Sequence, residues 1–111
     1  MHPACLEKRT MKTPLIVEVV TLTLREGVSL EQFVALDQAV EREHVALQPG
    51  FIARESAPGQ NRTWLVIVHW AAVEDAEASM SSFSDAPAAS AFIDAIEPGS
   101  MVMTRYGDTT G

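Results

Sequence analysis

The chain has 111 residues, 47% hydrophobic and 21% charged, with 15 acidic residues against 8 basic ones. That length suits one domain, that balance excludes wholesale disorder, and a net charge of -7 disfavours nucleic acid and anionic membrane surfaces as partners. The longest strongly apolar runs, such as residues 64–70, fall far short of the roughly 20 residues needed to cross a bilayer.

Residues 1–13 show no periodicity and lack the apolar stretch and small-residue cleavage site of a secretory signal. They are expected to form a flexible arm, with Met11 as an alternative start, and Cys5 within them is the single cysteine, which permits no internal disulfide and fits a cytoplasmic protein. The folded domain is expected over residues 14–107, followed by a tail at 108–111. Leu15 to Leu24 is rich in β-branched residues, apolar on both alternating faces and charged only at Glu18, which predicts a central strand. Ser29 and Gln32 match a capping box, and Phe33, Leu36, Val40, His44 and Leu47 recur at helical spacing, with Glu31, Asp37, Gln38, Glu41 and Arg42 mostly on the wet side. Pro49 and Gly50 end that helix. Phe51 to Ala57 carries Arg54 and Glu55 and reads as an exposed edge strand. A turn-forming cluster at 58–62 joins it to Thr63 to Trp70, the most apolar strand candidate. A helix follows over Ala71 to Phe83, then a break with Asp85 as a candidate cap and Pro87 in a first turn, then a helix over Ala88 to Ile96 and a last strand over Met101 to Tyr106.

The order β-α-β-β-α-β predicts an α+β, ferredoxin-like (split βαβ) fold: one antiparallel sheet of strand order 4-1-3-2 with the helices on one face. Strands one and three, nearly free of charge, would then be central. Because both of their faces are apolar, something must cover the second face, and a second copy of the chain, sheet against sheet at roughly 10 Å, is the simplest candidate. An obligate homodimer is expected.

Pro49-Gly50-Phe51 after a helix, Trp64-Leu-Val-Ile-Val-His-Trp70 followed by Glu74-Asp75-Ala76, and Phe83-Ser-Asp-Ala-Pro-Ala together resemble the antibiotic biosynthesis monooxygenase family of the dimeric α+β barrel superfamily, over roughly residues 14–107. The resemblance implies a dimeric barrel with a pocket between sheet and helices or at the barrel mouth. It also implies relatives that oxygenate aromatic phenols without metal or flavin, beside haem-degrading enzymes and members with no assigned reaction. Of the haem-degrading pattern only the strand-end tryptophan is matched, by Trp70; the first strand has no asparagine and no histidine follows His69. For the quinone-forming oxygenases the nearest matches are Asn61, Trp64 and Arg105.

His69 interrupts an apolar strand and has a side chain able to act as a base near neutral pH, so it is a candidate catalytic base or a hydrogen-bonded interface residue. It shares a face with Thr63, Leu65 and Ile67, opposite Trp64, Val66, Val68 and Trp70, and either face could line a cavity. Glu18, costly to bury without a partner, could orient His69 or form a structural ion pair. His44, on the packed side of the first helix, reads as a satisfied core or rim histidine. Trp64 and Trp70 offer flat surfaces for an aromatic ligand or simply fill the core, and Met80, Met101 and Met103 could form an adaptable wall. No phosphate loop, Ser-His-Asp order or metal-spaced histidine pair occurs. The expectation is a cofactor-free, monooxygenase-like dimer binding a small aromatic molecule, without metal, nucleic acid or membrane. The alternatives are a non-catalytic ligand-binding or stress-associated dimer, and a haem-handling or isomerase relative on the same fold.

Overall fold

Strand β1 (Ile16–Thr23) alternates in what it buries: Ile16, Glu18 and Leu22 turn inward with the half-buried Val20, while Val17, Val19 and Thr21 turn away. The computed structural model describes residues 16–107, so Leu15, the N-terminal arm with Cys5 and the C-terminal tail lie outside the described residues. Helix α1 (Leu30–Glu43) begins at the predicted capping box, in which the Ser29 hydroxyl accepts from the Gln32 amide and the Gln32 side chain accepts from the Ser29 amide. It ends earlier than its periodicity suggests. His44 caps it and a short 3-10 turn, Val45–Leu47, carries the chain on. Leu47, expected on the packed face, is therefore 71% exposed.

Strands β2 (Phe51–Pro58) and β3 (Thr63–Trp70) form an antiparallel hairpin, and Asn61 and Arg62 adopt positive φ in its turn. Helix α2 (Val73–Phe83) follows at once, with Glu74 and Asp75 in its first turn where the helix dipole favours carboxylates. Helix α3 (Pro87–Asp94) starts on Pro87 with Ala86 in the cap position, so Asp85 does not cap it. Strand β4 (Val102–Tyr106) completes the sheet.

The sheet order is β2-β3-β1-β4, and every pairing is antiparallel. This is the α+β ferredoxin-like arrangement that the element order predicts, with β1 and β3 in the centre. The even-numbered residues of both central strands form the buried face. Phe33 of α1 stands at its centre, edge-on to Trp64 at 5.0 Å and 5.1 Å from Phe92 of α3 between ring centroids. Phe83 of α2 closes the cluster against Phe92. No described element covers the opposite face, where Val17, Val19, Leu65 and Ile67 lie half-buried beside the exposed Val102 and Tyr106.

Candidate functional site

The sheet register lines up one row of side chains across all four strands on the helix side. Arg105 of β4 faces Glu18 of β1, Glu18 faces Val68 of β3, and Val68 faces Arg54 of β2. A cavity of about 90 Å³ lies over this row. Glu18, Val68 and Arg54 form part of its floor, Trp70 and Val66 flank them, and Val40, Ser79 and Phe83 come from the helices. Met80 and Met101, both about half exposed, stand at its rim.

Glu18 is 5% exposed and is held from two sides. Its Oε1 accepts from the Trp70 indole N–H at 3.2 Å and its Oε2 from Arg105 Nε at 3.0 Å. Each carboxylate oxygen has two acceptor sites, so two bonds leave capacity for a ligand hydroxyl. The arrangement satisfies the cost of burying the carboxylate while keeping it at the cavity wall.

Arg54 is the polar group at the other end of the floor. Its side chain is only 3% exposed and its terminal nitrogens grip Asp37 of α1, Nη2 to Oδ1 at 2.7 Å and Nη1 to Oδ2 at 3.0 Å. Nη1 also donates to Glu41 at 3.2 Å, and the Ser56 hydroxyl donates to Asp37 at 2.6 Å. Arg54 is thus not the solvent-facing edge charge its sequence context predicts, and Asp37 is not on the wet side of α1. The physical reason is a β-bulge between Phe51 and Ala53, which puts Arg54 and Ser56 on the same face as Phe51. Asp37 had left a signal: it sits four residues after Phe33 and three before Val40, on the buried stripe itself.

The sequence candidates divide accordingly. Glu18, Trp70 and Met80 line the cavity. Arg105 reaches it through Glu18. Trp64 belongs to the aromatic core against Phe33, its indole nitrogen buried without a hydrogen-bond partner among the described residues, and Asn61 lies in the exposed hairpin turn; neither lines the cavity. The expected Glu18–His69 pair does not form. Antiparallel pairing sets Val17, not Glu18, opposite His69, so the two side chains leave opposite faces of the sheet. His69 points to the open face, where Nε2 lies 3.6 Å from Glu55. His44 is a satisfied core residue: its ring nitrogens meet the Ser79 carbonyl at 3.3 Å and the Gln48 amide at 3.4 Å, and its ring stands edge-on to Phe83. Among the described residues no three His, Cys, Asp or Glu side chains are grouped to hold a metal ion, and no helix is long and apolar enough to cross a membrane.

No family model and no curated protein matches the sequence. The fold, in contrast, is shared with solved structures. The crystal structure of SnoaB, a cofactor-independent oxygenase from Streptomyces nogalater, superposes with a TM-score of 0.69 at 14% identity, covering 85% of this chain and 92% of that one. A protein of Caulobacter crescentus provisionally assigned as an antibiotic biosynthesis monooxygenase gives 0.68 at 14% identity over 92% and 96% of the two chains. One of Chloroflexus aurantiacus with the same provisional assignment gives 0.61 at 19% over 87% and 95%. At these identities the likeness is one of fold. The class is an α+β ferredoxin-like fold, and within it the chain shares the fold of these oxygenase and provisionally assigned monooxygenase structures.

Proposed function

We propose that the protein is a cytoplasmic homodimer of the cofactor-independent oxygenase type, which binds a small aromatic phenol in the helix-side cavity and uses Glu18 to take the phenolic proton. The observation that carries this reading is Glu18, the one carboxylate among the described residues that line a largely apolar cavity, fixed by Trp70 and Arg105 but with acceptor capacity left. Shared fold with a cofactor-independent oxygenase supports it. Loss of the proton makes the ring electron-rich, so that it can pass electrons to O₂. One oxygen atom then replaces the hydrogen of a ring C–H bond and the O–O bond breaks; the other oxygen leaves as water with that hydrogen and the phenolic one, so the phenol supplies the four electrons and ends as a quinone. The apolar walls keep bulk water from the intermediate.

Cavity size sets the scale of the substrate. A cavity of about 150 Å³ holds benzene, so the present one, at about 90 Å³, admits a single ring only as Met80 and Met101 turn outward. His69, on the other face, is assigned to association with a second copy rather than to proton transfer. The test is oxygen uptake with single-ring phenols and hydroquinones. Wild-type protein is expected to consume oxygen, and Glu18→Gln, which keeps the shape but not the base, is expected to lose roughly 100-fold or more in rate. Equal rates would remove Glu18 from the chemistry. The small cavity favours one other reading, a non-catalytic binding protein, which would bind such phenols without consuming oxygen.

A further inference from the structure

Asp37 and Glu41 occupy only part of the Arg54 guanidinium. Asp37 takes one hydrogen bond from each terminal nitrogen and Glu41 a second from Nη1, which leaves the Nε–H and the remaining Nη2–H without a partner among the described residues. These two donors lie along one edge of the planar group and form a second fork. The side chain is buried at 3% exposure and lines the cavity, so the only space open to this edge is taken to be the cavity itself. We propose that this free edge of Arg54 is a specificity element that binds a carbonyl oxygen of the ligand, at the end of the cavity remote from Glu18. The proposal rests on the reading of the cavity as a phenol site and adds to it the chemistry of the ligand's far end.

Charge decides which kind of oxygen fits. Around the floor two guanidinium groups, Arg54 and Arg105, meet three carboxylates, Glu18, Asp37 and Glu41. Further negative charge is unwelcome there, so a neutral ketone or quinone oxygen suits the fork and a carboxylate does not. Position decides the length of the ligand. Glu18 and Arg54 are separated by two strand spacings, about 10 Å between backbones, and both side chains rise toward the helices. A ring bearing a hydroxyl at one end and a carbonyl at the other spans between them, its hydroxyl donating to Glu18 and its carbonyl accepting from Arg54. The substrate class is therefore a hydroxyaryl ketone, bound in one orientation.

Calorimetric titration of the full chain with three single-ring probes tests this. 4-Hydroxyacetophenone carries both groups, 4-ethylphenol replaces the carbonyl with a methylene, and 4-hydroxybenzoate replaces the ketone with an anion. Wild-type protein is expected to bind the ketone about tenfold or more tightly over the ethyl compound, the range of a hydrogen bond from a charged donor, and to bind the benzoate more weakly than the ketone. Arg54→Lys retains a cation for Asp37 but lacks the edge fork, and is expected to bind the ketone and the ethyl compound equally. Should that variant fail to fold, the double variant Asp37→Leu/Arg54→Met removes the pair together and leaves no buried lone charge, with the same expectation. Equal binding of ketone and ethyl compound by the wild type, or a preference that survives loss of the fork, would overturn the role of Arg54 while leaving the phenol site standing. Tighter binding of the benzoate would overturn the neutral carbonyl. Failure of every probe to bind would overturn the phenol site together with this inference.

Discussion

Glu18 and Arg54 stand in one row of the sheet, and each owes its burial to partners from different elements. Glu18 is held by neighbours on β3 and β4, whereas Arg54 depends on Asp37 from α1. Both members of the Arg54–Asp37 pair are almost wholly buried, which makes it costly to break and of little net value to form. Asp37→Ala is expected to lower stability by about 3–5 kcal/mol, read from the denaturation midpoint. Asp37→Leu/Arg54→Met is expected to recover most of that loss, since it leaves neither charge alone. For His69 the outcome to look for is kinetic: His69→Ala should keep the wild-type rate of oxygen uptake on any phenol that Glu18→Gln fails to turn over, because its ring lies on the far side of the sheet from the cavity.

At the level of elements, the helix starts and the turn after α1 place the site. Ser29→Ala removes one arm of the capping box and is expected to cost about 1 kcal/mol in stability, with the cavity unaffected. Gly50 is more tightly constrained. It has a φ of +81° and its missing Cβ leaves the space occupied by the Asp75 side chain at the start of α2. Gly50→Ala therefore meets two penalties, backbone strain and collision, and a loss of about 2 kcal/mol or more is expected in thermal or denaturant melts. Adding Asp75→Ala should relieve the collision and return part of that loss, leaving the strain at positive φ. The β-bulge at Phe51/Ala53 acts in the same region, since it turns Arg54 toward α1 and leaves Glu55 facing outward beside His69.

The whole molecule has one sheet face under helices and another under no described element. Val17, Val19, Leu65 and Ile67 on that face are apolar, and Val102 and Tyr106 beside them are more than half exposed. A contiguous apolar face of this kind marks an association surface. Ile67→Glu, at the centre of the face, is expected to convert a dimer to a monomer by sedimentation velocity, because two sheets packed face to face would bury the new charges without partners. An unchanged sedimentation coefficient would place association elsewhere on the molecule.

Local pattern alone determined much of this architecture. Two β-branched, nearly uncharged runs had to be central strands, and Ser29 with Gln32 had to start a helix, because each of these follows from neighbouring residues and backbone sterics, whereas the end of α1 at Glu43, ahead of Pro49 and Gly50, was not legible in that way. The parity of β3 likewise separated His69 from Trp70 before any fold was known. Only tertiary structure decided which of those faces met the helices, and with it that Glu18 would join Trp70 and Arg105 rather than His69. It also decided the burial of Arg54 and Asp37, where one bulged residue reversed the alternation of an edge strand and helix α1 supplied the counter-charge in direct contact. Registers and bulges depend on what lies across the sheet, not along the chain, and the ends of the cavity floor are set by those cross-strand choices.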